Sequence, residues 1–90
     1  MDLSSLREKI NKIDSELLFK LKERMEVSKE IGIFKKENNL EVLDSKREEL
    51  LINSLINNDT KVFEDVKNKE FITDLWKVIM NYSKSNQNLN

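Results

Sequence analysis

Residues 3–38 read LSSLREKINKIDSELLFKLKERMEVSKEIGIFKKEN, a stretch with no proline and a single glycine, Gly32. Its apolar residues fall at Leu3, Leu6, Ile10, Ile13, Leu17 and Leu21. That alternation of three and four keeps one face of a helix apolar. The spacing predicts one uninterrupted helix over about 3–38, with Ser4 or Ser5 as its cap and Glu8 completing a capping box with Ser5. The remainder of the chain agrees with a helical class. There is no proline and no second glycine in 90 residues, and strands joined by hairpins need such turn residues at close intervals. Asn38 to Leu43 breaks the pattern and reads as a connection. A second helix is predicted over about 44–57, turning Leu50, Leu51, Ile52, Leu55 and Ile56 to a core. Asn57 to Thr60 reads as a polar turn, and Val62, Phe63 and Val66 as a short extra helical turn. A third helix is predicted over about 69–87, with Phe71, Ile72, Leu75, Trp76, Ile79 and Met80 apolar.

A helix of that first length is ~54 Å long, whereas a compact chain of 90 residues has a radius of gyration of ~12 Å. The first helix therefore projects beyond any core its own chain supplies, and its apolar stripe needs a partner. A symmetric homodimer is the simplest one. The expectation is an all-α fold, one helical domain over 1–90, intertwined with a second copy.

Composition narrows the chemistry. Sixteen Lys and Arg against seventeen Asp and Glu leave a formal charge of −1, without the basic excess of nucleic-acid readers. The absence of Cys and His removes thiolate nucleophiles, the usual soft metal sites and the usual general base. No apolar run approaches a membrane span, and MDLSSLREKI has neither the basic nor the apolar part of a signal peptide. A cytoplasmic protein with no nucleic-acid or membrane partner is expected, working with carboxylates, amides, hydroxyls, Arg and Lys.

Polar residues then occur where the stripes should be apolar. On helix 1 the stripe continues through Arg24, Ser28, Ile31 and Lys35, with two cations ~16 Å apart along the axis, within joint reach of a small anion. On helix 2, Asp44, Arg47 and Glu48 share the face of Leu51 and Leu55; taken alone, Asp44 also suits an N-cap and Glu48 the helix dipole. On helix 3 the face of Trp76 and Met80 ends in Ser83 and Gln87, which alone would suit a fraying turn. Together the three clusters describe a buried, cation-rich pocket between helices.

Leu-Arg-Glu-Lys at 6–9, Glu23-Arg24, Glu30-Ile-Gly-Ile-Phe-Lys35, Asp44-x-x-Arg47-Glu48 and Ser83-x-x-x-Gln87 together resemble the all-helical (type II) chorismate mutases, over about Leu6 to Gln87. The resemblance implies an isomerase that needs no metal or cofactor and rearranges the dicarboxylate chorismate to prephenate, on the shikimate-pathway branch toward phenylalanine and tyrosine. It also implies an entwined homodimer with shared sites. Arg7 would reach the partner's site and bind a substrate carboxylate, and Arg24 would bind one within its own chain. Lys35 and Gln87 would donate to the ether oxygen. Glu48 would accept from the ring hydroxyl, assisted by the backbone near Asp44. Arg47 and Ser83 would complete the polar wall, and Ile31, Leu51 and Met80 the apolar lining. The connection between helices 2 and 3 is a few residues longer than in that family. The competing readings are an isochorismate-pyruvate lyase on the same scaffold, a non-catalytic dimerisation or regulatory module, and a plain antiparallel coiled coil.

Overall fold

The computed structural model describes residues 2–42, 44–57 and 66–87. Three α-helices follow one another: α1, Leu3–Glu37; α2, Ser45–Ile56; and α3, Val66–Gln87. The described residues include no strand.

Asp2 starts α1. Its carboxylate accepts from the Ser5 N–H at 2.8 Å, so the expected cap at Ser4 or Ser5 is corrected: both serines lie in the first helical turn. Asp is as good a cap as Ser, and capping earlier adds helical residues at the N-terminal end. The helix ends at Glu37 with Asn38 as its C-cap, and the chain turns away at Asn39, whose φ of 56° is left-handed. The Leu40 N–H reaches the Lys35 carbonyl at 2.8 Å and the Asn39 N–H the Lys36 carbonyl at 3.4 Å. This is a Schellman closure, and Asn is the residue after Gly that best tolerates its backbone.

Asp44 caps α2, accepting from the Arg47 N–H at 3.0 Å. Helix α3 begins at Val66, three residues ahead of the expected Lys69. The polar run 67–70 carries no apolar periodicity but continues the helix. Val62 and Phe63, Leu43, and residues 58–60 of the expected turn lie outside the described residues.

α3 packs against both α1 and α2, and its last turn lies against the second half of α1. The ion pair from Glu48, near the start of α2, to Lys84, near the end of α3, shows these two helices running antiparallel. The chain spans 55 × 27 × 18 Å with a radius of gyration of 16.3 Å, larger than the ~12 Å of a compact chain of this size. Little of its apolar surface is covered. Ile72 and Met80 are the buried apolar residues among those described. Of the residues expected in a core, Leu50 is 64% exposed and Phe71 62%, and Leu75 is also exposed. Among the described residues there is no further layer to set against them.

Candidate active site

Four contacts fix the last turn of α3 on α1. The Ser83 hydroxyl donates to the Ile79 carbonyl at 3.1 Å, as a serine within a helix can, and its oxygen accepts from the Arg24 guanidinium. Buried Ser28 donates its hydroxyl to the Ser83 carbonyl at 3.1 Å. Asn86, only 2% exposed, donates to the Met25 carbonyl at 2.8 Å, so its burial leaves no polar atom unsatisfied. At Gly32 the helices nearly touch: a Cβ there would lie 2.7 Å from both the Cα and the carbonyl oxygen of Gln87. Any side chain would push the last turn of α3 away, which explains why the chain's one glycine stands inside a helix despite a cost of about 1 kcal/mol there.

This close approach brings Gln87 to Lys35. The Lys35 ammonium donates to Gln87 Oε1 at 3.1 Å and to the Val42 carbonyl at 2.9 Å. Two of its three donors thereby tie α1, the connection and α3 together, and one remains for a ligand. Because Lys35 occupies the carbonyl end of Gln87, the amide NH2 end is left to donate.

Beside these contacts the three helices enclose a cleft of about 480 Å3. Arg24, Lys35 and Ile31 come from α1, Arg47, Glu48 and Leu51 from α2 with Asp44 at its cap, and Met80, Ser83 and Gln87 from α3. Ten of the eleven expected site residues thus line one space. Arg7 does not; it lies exposed some 17 residues up α1 from Arg24, ~25 Å along the axis. The cleft also departs from the expected buried pocket. Asp44, Arg47 and Ile31 are exposed, because three helices wall only part of the space.

Burial, and secondarily the charge of Arg47, lower the Arg24 pKa below its ordinary value. A guanidinium starts so high that it stays a cation at any ordinary pH, so the crowding of two like charges expresses itself as affinity for an anion between them. Among the described residues the Arg47 side chain has no ion pair. Glu48 pairs with Lys84 at 3.1 Å. Four cations and two carboxylates line the cleft, leaving two positive charges for a ligand.

Ser28, on the polar stripe of α1, also lines it, as do Val27, Val42 and Lys84, which the sequence reading does not single out. Val27 stands four before Ile31 and Lys84 four after Met80, spacings that place each on its neighbour's face. For Val42, in an irregular connection, the sequence offers no periodic signal. Among the described residues, no group of three or more His, Cys, Asp or Glu could hold a metal ion, and no helix is long and apolar enough to cross a membrane.

No curated protein matches the chain. The sequence pattern of chorismate mutase type II, however, matches it over residues 6–88, which takes in α2, α3, α1 from Leu6 onward and every expected site position. A first helix of 35 residues, a cleft of arginines, lysine, carboxylate and amide between three helices, and a family match over nearly the whole sequence agree: the chain belongs to the chorismate mutase type II family.

Proposed function

We propose that the protein is a chorismate mutase, catalysing the [3,3] rearrangement of chorismate to prephenate in phenylalanine and tyrosine biosynthesis. The observation that carries this reading is the convergence of Arg24, Lys35, Arg47, Glu48 and Gln87 on one cleft in a chain of this family. The reaction is unimolecular and needs no nucleophile, metal or proton transfer, so the chain's residue types suffice. What it needs is a dicarboxylate held with its enolpyruvyl arm folded over the ring, a task of orientation. Arg24 binds one carboxylate as a permanently charged fork, and Arg47 and Ser83 complete the polar wall. Glu48 accepts the ring hydroxyl near the Asp44 backbone, while Ile31, Leu51 and Met80 flank the apolar faces of the substrate.

As the C–O bond breaks, negative charge grows on the ether oxygen. The remaining Lys35 donor and the Gln87 NH2 group meet that charge, stabilising the transition state more than the ground state. Losing one such donor typically costs about 3–4 kcal/mol.

The second carboxylate falls to Arg7 of a second copy. Leu3, Leu6, Ile10, Ile13, Leu17 and Leu21 are between 39% and 60% exposed in the single chain. Covering six such side chains is worth on the order of 10 kcal/mol. An antiparallel copy of α1 covers them and carries its Arg7 toward the open side of the cleft, supporting a homodimer with shared sites.

The test is to mix the purified chain with chorismate and follow loss of substrate and appearance of prephenate. Pyruvate released from isochorismate, without action on chorismate, would replace the mutase with the lyase. Inertness toward both would leave a non-catalytic module.

A further inference from the structure

Lys84 lies in the last turn of α3 and lines the cleft beside Ser83 and Gln87. Its ammonium stands 3.1 Å from Glu48 Oε1, with the two side chains 31% and 28% exposed. The pair therefore joins α2 to α3 at a partly sheltered position, unlike the fully solvated pairs that contribute little. Glu48 has an awkward task in the proposed mechanism. It must accept a hydrogen bond from the ring hydroxyl of a substrate that carries two negative charges. A bare carboxylate in a partly desolvated cleft repels such a ligand.

We propose that Lys84 is a positioning residue for the substrate. Its ammonium neutralises Glu48 and holds Oε1, so that Oε2 accepts the ring hydroxyl without a net negative charge facing the dianion. The proposal rests on the mutase reading and assigns Lys84 a role exerted through Glu48, with no contact to the reacting bond. The hydroxyl is held alike before and during the rearrangement, so losing Lys84 weakens binding uniformly: KM rises and kcat stays.

Lys84→Gln, Lys84→Arg, Glu48→Gln and the double variant Glu48→Gln/Lys84→Gln are compared with wild type on chorismate, with helicity checked by circular dichroism. Lys84→Gln should raise KM about three- to tenfold with kcat within about twofold, and Lys84→Arg should recover most of the loss. In the Glu48→Gln background no carboxylate charge remains to offset, so the same Lys84→Gln change should shift KM less than about twofold. Wild-type KM in Lys84→Gln, or an undiminished effect in the Glu48→Gln background, would overturn the proposal while wild-type turnover keeps the mutase reading intact. Failure of the wild-type chain to convert chorismate would overturn both.

Discussion

From Leu3 to Leu21, the stripe of α1 is apolar and exposed, and no other described helix of the chain covers it. From Arg24 to Lys35 the same stripe is mostly polar, yet it is this half that is packed: Ser28 and Gly32 are buried and α3 lies across it through the Arg24, Ser28, Met25 and Lys35 hydrogen bonds. The usual association of apolar with inside is reversed along a single helix. Exposed leucines are uninformative one at a time, but a row of them at helical spacing beside a packed polar row is what motivates the proposed second copy. The second half of α1 finds its partner in its own chain and builds the cleft; under the proposed homodimer, a second copy would cover the first half.

The harshest way to break that division is to test whether the halves meet across copies. Arg7→Ala and Arg24→Ala should each lower kcat/KM on the order of 10^2-fold or more, since each removes a charged hydrogen bond to the substrate. Unfolded and refolded together in equal amounts, the two inactive variants should regain about a quarter of wild-type sites, because half the dimers are mixed and each has one intact site. No recovery on co-refolding would confine Arg7 to its own chain or remove it from the site.

Leu17→Asp probes the first half alone. A charge buried in the shared stripe costs several kcal/mol, so this variant should sediment as a single chain and lose its cooperative thermal transition. The wild-type Tm should rise with protein concentration. A concentration-independent wild-type Tm with the mass of one chain would remove the intertwined dimer.

Gly32→Ala probes the second half. Alanine gains about 1 kcal/mol of helix propensity but sets a methyl group 2.7 Å from the Gln87 backbone; overpacking of this kind costs about 1–3 kcal/mol. Tm should change little or fall slightly, while kcat should drop about tenfold as Gln87 moves off Lys35. Wild-type kcat would mean the crossing does not set the position of Gln87.

The smallest effect belongs to the exposed end of α1. The Ser5 N–H holds the Asp2 carboxyl below its ordinary pKa of 3.8. A depressed carboxyl stabilises the first turn above its unfolded pKa, and that contribution is lost as pH falls through the lower folded value. Hydrogen exchange at the Ser5 amide, corrected for its intrinsic rate, should accelerate below about pH 4. Asp2→Asn, which keeps an acceptor but cannot titrate, should flatten that dependence; an unchanged profile would assign the fraying to another group.

The fold was largely legible because the governing signal is periodic. The stripe of α1 and the shortage of glycine and proline specify long helices, and every expected site residue except Arg7 lines the cleft because facing positions on a helix follow from spacing alone. Two kinds of feature depart from the sequence reading: burial, since Leu50, Phe71 and Leu75 are exposed and the cleft is open, and helix ends, where one hydrogen bond decides. Asp2 outcompetes Ser5 as a cap by starting the helix earlier. Helix α3 begins at Val66 because polar residues extend a helix without marking it, although Asp65, directly before it in sequence, is of a type favoured at helix starts. Lys84 escaped notice because its partner, Glu48, stands on another helix, and pairings across elements leave no trace in linear spacing.

The hydrogen bonds joining α1 to α3 link residues 52 to 61 positions apart. Those inside α1 link residues four apart, and an isolated helix equilibrates in about 0.1–1 μs. Closing loops of more than fifty residues carries an entropic cost that only late contacts offset, and such non-local contacts slow folding even when every element is helical. The topology predicts an order of events: helical signal should accumulate first, and the cleft should be assembled last, when Asn86 and Gln87 dock against Met25 and Gly32. During refolding, recovery of ellipticity should run ahead of recovery of turnover, with a transient population of long, sticky helices that have no active site.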